Sequence, residues 1–183
     1  MRFGSLGLRL VLWLIPSWAA AEIRVAFFRF PDGEVGDRFY HVALEVTGPL
    51  GKRWISAEPY WGVRVVDDLS KISHQPVVFL IQKKLADLRL ENLSRYIGMP
   101  FDSDMDWQRE DRMYCSKLIA KILQIAPTPM SFSDPRWPKH LQARVGAVGI
   151  SPDEVFQSLQ SLGYVAEPRS VCESKFSTAV SAP

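Results

Sequence analysis

The sequence predicts an α+β domain, with helices packed on one face of an antiparallel sheet. Between residues 22 and 82 the chain is a series of short segments rich in β-branched and aromatic residues, separated by turn residues. Beyond residue 83 apolar residues recur at helical spacing instead. That order, strands first and helices later, is characteristic of a sheet covered by helices rather than of alternating parallel units. A length of 183 residues, with 47% hydrophobic and 23% charged residues, suits one globular domain.

Residues 1–21 (MRFGSLGLRLVLWLIPSWAAA) predict a secretory signal peptide. Arg2 and Arg9 supply the positive start, Leu10 to Ile15 the apolar stretch, and Ala19-Ala20-Ala21 the small residues of a cleavage site after Ala21. The apolar stretch is far shorter than the ~20 residues a spanning helix needs. The expected location is therefore periplasmic or secreted, with no integral membrane segment after cleavage.

Strands are predicted at Glu22–Phe30, Phe39–Thr47, Arg53–Glu58, Gly62–Asp67 and Pro76–Gln82, the last apolar enough to be central. Turns fall at Pro31-Asp32-Gly33 and Gly48-Pro49-Leu50-Gly51. A helix is predicted over Lys83–Ile97, stopped by Gly98. A second, over Cys115–Ile125, carries Leu118, Ile119, Ile122 and Leu123 on one stripe. Ser151-Pro152-Asp153-Glu154 is a capping box with proline at the first helical position, and that helix ends at Gly163. The folded domain is thus expected to span residues 22–166, with residues 167–183 a loose polar tail.

The second and third strands form a hairpin whose register can be computed. If Gly48–Gly51 is the connection, Thr47 pairs with Lys52 and paired numbers sum to 99. Val42, Leu44 and Val46 then share an apolar face with Ile55 and Ala57. His41, Ala43 and Glu45 share the other face with Trp54, Ser56 and Glu58. In this register His41 lies opposite Glu58, where Cβ atoms are ~4.5–5.5 Å apart. Glu45, four residues along the strand, is about 13 Å away. Glu58 is therefore the expected orienter of the imidazole, set against the alternative of an ordinary cross-strand pair.

Cys115 stands at the start of an amphipathic helix. Unpaired N–H groups and the positive end of the helix dipole favour a thiolate there and can also hold an oxyanion. A histidine facing such a thiol supplies the base and later the acid of a thiol hydrolase. The plainer alternatives are a buried small hydrophobe or a disulfide with Cys172. Cys172 lies in the polar tail and is read as incidental or redox-active rather than catalytic.

Composition excludes several classes. Lys+Arg is 22 and Asp+Glu 20; removing residues 1–21 deletes two arginines and no acid, leaving 20 of each. Such balance does not support a nucleic-acid partner. Two cysteines and three histidines, His41, His74 and His140, show no metal-ligand spacing, so no metal or cofactor is expected.

Together these stretches resemble a family. Tyr40-His41-Val42-Ala43-Leu44, Ile55-Ser56-Ala57-Glu58, Gly62-Val63-Arg64-Val65-Val66, Ile97-Gly98-Met99-Pro100-Phe101-Asp102 and Tyr114-Cys115-Ser116-Lys117-Leu118-Ile119 occur in an order similar to that of the permuted papain-like hydrolases of the YiiX/YaeF type. These are relatives of the NlpC-type peptidases and of the lecithin–retinol acyltransferase group. The resemblance spans most of residues 23–162 and implies a circularly permuted papain-like fold. It implies Cys115 as nucleophile, His41 as base and Glu58 as third member. It also implies that Tyr114 lines the substrate cleft. Tyr40 stands where a glycine is frequent, Phe101 where a tyrosine is frequent, and Lys117 where an acid is frequent.

The expected function is an exported thiol hydrolase cleaving an amide or peptide bond, with cell-wall peptides suggested by the compartment. The alternatives are a lipid acyl or thioester hydrolase or acyltransferase using the same residues, and a non-catalytic binding protein that retains the fold. The partner is a small peptide, amide or acyl substrate. Trp54, Tyr60, Trp61 and Trp107 are candidate cleft aromatics, and Asp102, Asp104, Asp106, Glu110 and Asp111 are expected to form a solvated loop.

Overall fold

The computed structural model describes residues 21–30, 38–74, 77–84 and 88–167. Strands β1 (Ala21–Arg29), β2 (Phe39–Gly48), β3 (Gly51–Glu58), β4 (Gly62–Val66) and β5 (Val77–Lys84) join a two-residue β8 (Val165–Ala166) in one sheet. Its order is β4-β3-β2-β1-β5-β8, and every pairing is antiparallel. The most buried strands are β1 and β2, so β5 lies nearer the edge than its apolar sequence predicts. Helices α1 (Cys115–Leu123), α2 (Lys139–Gln142) and α3 (Pro152–Ser161) follow, with a small pair formed by β6 (Thr128–Pro129) and β7 (Val148–Gly149). The signal peptide and Cys172 lie outside the described residues. Among the described residues no helix is long and apolar enough to cross a membrane.

The hairpin has the computed register: Gly48↔Gly51, Thr47↔Lys52, Val46↔Arg53, Glu45↔Trp54 and Leu44↔Ile55 all sum to 99. Alternation then sends Val42, Leu44, Val46, Ile55 and Ala57 into the main core beneath α1 and α3. Ala43 and Trp54 face a smaller apolar cluster with Phe28 on the opposite side.

The predicted helix over Lys83–Ile97 does not form as one helix. Ala21, Glu22 and Ile23 pair with Lys84, Lys83 and Gln82, so sheet pairing extends β5 through residues that locally favour helix. A 3₁₀ turn at Leu90–Leu93 follows, and Thr47 N–H donates to Leu88 O at 2.8 Å. Gly98, at φ +82°, therefore ends a series of turns rather than a helix, and its N–H donates to Val63 O at 2.8 Å.

Helix α3 starts as the sequence predicts. Ser151 N–H donates to the Glu154 carboxylate at 2.6 Å, and Glu154 N–H donates back to the Ser151 hydroxyl. Asp153, in the first turn, accepts from the backbone N–H of Arg38 (2.9 Å) and Phe39 (3.1 Å). Phe156 packs on Phe27 and Phe39 with ring centroids 5.1 and 4.8 Å apart. These contacts fix the beginning of β2, where His41 sits.

Candidate active site

The site forms at the end of the sheet where β2 and α1 both begin. Phe28 pairs with His41 and Arg29 with Phe39, so Tyr40 is an extra, bulged residue. Alternation places His41 on the face of Ala43, while α1 covers the face of Val42. The end of the sheet reconciles the two: His41 and Cys115 line one cavity of about 670 Å³. The backbone N–H of Val42, the residue after His41, acts on the Cys115 thiol and favours its ionised form.

Cys115 is held from both sides in sequence. Ile150 N–H donates to the Tyr114 hydroxyl at 3.3 Å, and the Ser116 hydroxyl donates to Ile150 O at 2.7 Å. Tyr114 is fully buried and does not line the cavity, contrary to its expected cleft role. Its phenol is spent on anchoring the start of α1, and burial raises its pKa.

Lys117, one residue further, is also fully buried. Its ammonium donates to the carbonyls of Asp106, Arg109 and Arg112, closing the loop that leads to Cys115. Burial lowers its pKa. The same loop is less solvated than its acids suggest. Asp102 is buried and accepts from the N–H groups of Asp104 (3.2 Å) and Asp106 (2.9 Å).

The imidazole has a different partner from the one the register implies. The Ser56 hydroxyl lies 2.7 Å from His41 Nε2 and 3.1 Å from Val42 O, and its one proton can serve only one of them. With that proton on Val42 O, the ring proton sits on Nε2 and Nδ1 is the basic nitrogen. Glu58 faces Arg64 instead, accepting from Nε at 2.7 Å and Nη2 at 2.6 Å. The reason is local. The β2–β3 ladder ends at Leu44↔Ile55, and Ser56, Ala57 and Glu58 continue pairing only with β4. Where the two strands part, the serine side chain replaces the backbone as the bridge to β2. Glu45 is bound by Lys52 at 2.6 Å and Arg24 at 3.6 Å. Ser56 escaped the sequence reading because a strand serine carries no distinctive signal; its hydroxyl on the His41 face was the available clue.

Burial dominates the electrostatics. It pushes the Cys115 thiol up to about 11, although the N–H groups of Val42, Ser116 and Cys115 itself pull the other way. The helix start therefore does not produce the resting thiolate expected of it. Burial also pushes His41 down to about 4. Thiol and imidazole are both neutral between these values. Below its pKa the thiolate fraction grows tenfold per pH unit, so iodoacetamide labelling of Cys115 should climb through pH 6–9 without a plateau. A labelling rate already flat below pH 7 would instead require a preformed thiolate–imidazolium pair.

Of the candidate aromatics, Tyr60 and Trp61 line the cavity and are exposed. Trp54 belongs to the smaller core cluster, and Trp107 packs against the main core with Lys121 over its ring. Pro100, Phe101, Trp137 and Leu141, which the sequence reading did not assign to a cleft, complete much of the wall. Gly62, at φ +66°, lets the 98–101 segment approach: a Cβ there would stand 2.2 Å from Met99 O.

No family model matches this chain, and no curated protein matches it. Among solved structures it is similar to the metalloprotein YiiX of Escherichia coli O157:H7, with a TM-score of 0.56 and 17% identity over 79% of this chain and 94% of that one. The chain thus has a YiiX-like α+β fold with a largely antiparallel sheet.

Proposed function

We propose that this protein is an exported thiol hydrolase that forms an acyl-enzyme on Cys115, on a permuted papain-like version of the fold related to the NlpC-type peptidases. The observation that carries this reading is the opening of Cys115 and His41 into one cavity, with the Ser56 hydroxyl 2.7 Å from the ring. His41 Nδ1 takes the thiol proton as sulfur attacks the substrate carbonyl carbon. The N–H groups at the start of α1 donate to the oxyanion. The tetrahedral adduct then collapses and its amide C–N bond breaks, with the imidazolium protonating the leaving nitrogen. Water, deprotonated by His41, attacks the thioester; the carboxylic acid leaves and the thiol regains its proton. An ester or thioester would be cleaved through the same steps. Proton transfer is uphill in the empty site, so it accompanies attack rather than preceding it.

YiiX is described as a metalloprotein. Among the described residues of this chain no three His, Cys, Asp or Glu side chains cluster as metal ligands, so the steps above use protein groups.

The third role is assigned to Ser56 as a positioning residue. Ser56→Ala should reduce turnover by about 10–100-fold, the scale of one or two hydrogen-bond equivalents. It should also change the pH dependence, because the ring is then free to adopt either tautomer. Ser56→Thr, which keeps the hydroxyl, should recover much of the loss. Glu58→Gln and Glu45→Gln should turn over like the parent. A larger defect in Glu58→Gln than in Ser56→Ala would return the third role to the glutamate.

A further inference from the structure

A second cavity, of about 350 Å³, shares no residue with the catalytic one and is lined by Arg95, Tyr96, Met99, Glu110, Met113 and Lys121. That volume is within the usual range for small-ligand pockets. The two cavities lie back to back: Pro100 and Phe101 line the catalytic one, Met99 and Met113 the other. Met113 N–H donates to Pro100 O and Asp102 N–H donates to Met113 O, each at 3.0 Å, so the two strips are bonded into one partition. The thiol mechanism uses none of the charged groups of the second cavity.

The charges of that lining do not cancel. Glu110 is matched by Lys121, whose ammonium stands 3.0 Å from the carboxylate and 4.9 Å from the centre of the Trp107 ring. Arg95 is the cation left over: among the described residues no carboxylate pairs with it. Its guanidinium lies over the Tyr96 ring at 4.7 Å and donates from Nη2 to the Tyr96 hydroxyl at 2.8 Å. Tyr96 is only 7% exposed, so the guanidinium is fixed on a buried ring and has little freedom left to lose on binding. Its other N–H groups stay unused among the described residues. The Tyr96 hydroxyl accepts from Arg95 and keeps its own proton for another acceptor. Donors therefore outnumber acceptors here, above an apolar and adaptable floor of Met99 and Met113.

We propose that this second cavity binds a small organic monoanion, its carboxylate held by the Arg95 fork and the Tyr96 hydroxyl and its apolar body over Met99 and Met113. A single negative charge is what the lining lacks, since Lys121 and Glu110 already cancel; a phosphate dianion leaves a charge unmatched, which is costly. The planar guanidinium fork also fits a carboxylate through two parallel hydrogen bonds. The ligand touches three segments at once: the turns before the partition through Arg95, Tyr96 and Met99, the loop before α1 through Glu110 and Met113, and α1 itself through Lys121. Met113 closely precedes Cys115 in the chain, so an occupied site fastens the wall of the catalytic cavity from behind without touching its substrate. The proposal is independent of the chemistry at Cys115.

The probe is benzoate, titrated into parent protein with isotope-labelled methionine methyls, each assigned by its Met→Leu variant and followed by nuclear magnetic resonance. Met99 and Met113 report the second cavity and Met105 the catalytic one, while Met130, buried elsewhere in the core, reports the fold. Benzoate should shift Met99 and Met113 saturably and leave Met105 and Met130 in place. Benzamide, alike in shape but uncharged, should bind at least about tenfold more weakly, the scale of one lost charge-assisted hydrogen bond. Inorganic phosphate should also bind more weakly than benzoate. Arg95→Gln should lose a similar factor for benzoate; Arg95 is exposed, so the Met130 methyl should not move in that variant. Unmoved Met99 and Met113 methyls, equal binding of benzoate and benzamide, or parent-like binding of benzoate by Arg95→Gln would overturn the proposal. Phosphate binding tighter than benzoate would overturn the carboxylate as the ligand. Shifts at Met105 alone would place benzoate in the catalytic cavity and overturn the second site.

Discussion

Cys115→Ala should lose turnover of any substrate by at least about 10⁴-fold, the scale seen when a covalent nucleophile is deleted. The thiol is the atom that forms the acyl bond, and neither His41 nor Ser56 is arranged to replace it. The fold should survive. Cys115 is 1% exposed, yet the start of α1 is fastened by Tyr114 and Ser116 to Ile150 rather than by the cysteine. Loss of activity with a native circular dichroism spectrum is the expected result. Cys172, outside the described residues, provides an internal control: Cys172→Ala should leave turnover unchanged.

His41→Gln should lose about 10²–10⁴-fold, the usual contribution of a positioned acid–base group. Glutamine is preferred to alanine because the imidazole packs against Phe28, with ring centroids 5.5 Å apart, and truncation would open a void. Two readouts separate catalysis from packing. Acyl-enzyme formation should slow together with its hydrolysis, since one ring serves both. Iodoacetamide labelling should fall much less, because in the resting protein burial keeps the ring neutral and the thiol draws no charge from it. Loss of labelling as severe as the loss of turnover would mean that His41 sustains a resting thiolate.

Much of this architecture was legible in the chain. Period-two alternation in Val42, Leu44 and Val46 against Ile55 and Ala57 fixed both the faces and the register of β2 and β3. The Ser151 capping box and the start of α1 at Cys115 were likewise readable, because helix ends depend on residues only a few positions apart.

Other features depend on contacts distant in sequence. Lys83 and Lys84 favour helix locally, but the start of β1 pairs with them across the sheet. Register arithmetic correctly paired the hairpin yet overshot at its open end, where β2 and β3 separate before His41 reaches Glu58. The ring therefore meets Ser56, and Glu58 goes to Arg64. The partners of Tyr114 and Lys117 were not readable for a related reason. Their polar atoms are buried against Ile150 and against carbonyls of the preceding loop, and neither the helix stripe nor the motif spacing encodes those partners. The thiol's acidity was misjudged because the helix-start effect is local, whereas the larger opposing effect is burial by the assembled core.

Trapping the acyl-enzyme tests the central claim most directly. Parent protein is mixed with 4-nitrophenyl acetate, quenched in acid within a single turnover, digested and mapped by mass spectrometry. The expected result is one acetyl group on the peptide containing Cys115, formed at least as fast as steady turnover, and absent from Cys115→Ala. Undiminished turnover in Cys115→Ala, or an acetylated peptide elsewhere while the Cys115 peptide stays unmodified, would contradict the assignment of Cys115 as the nucleophile.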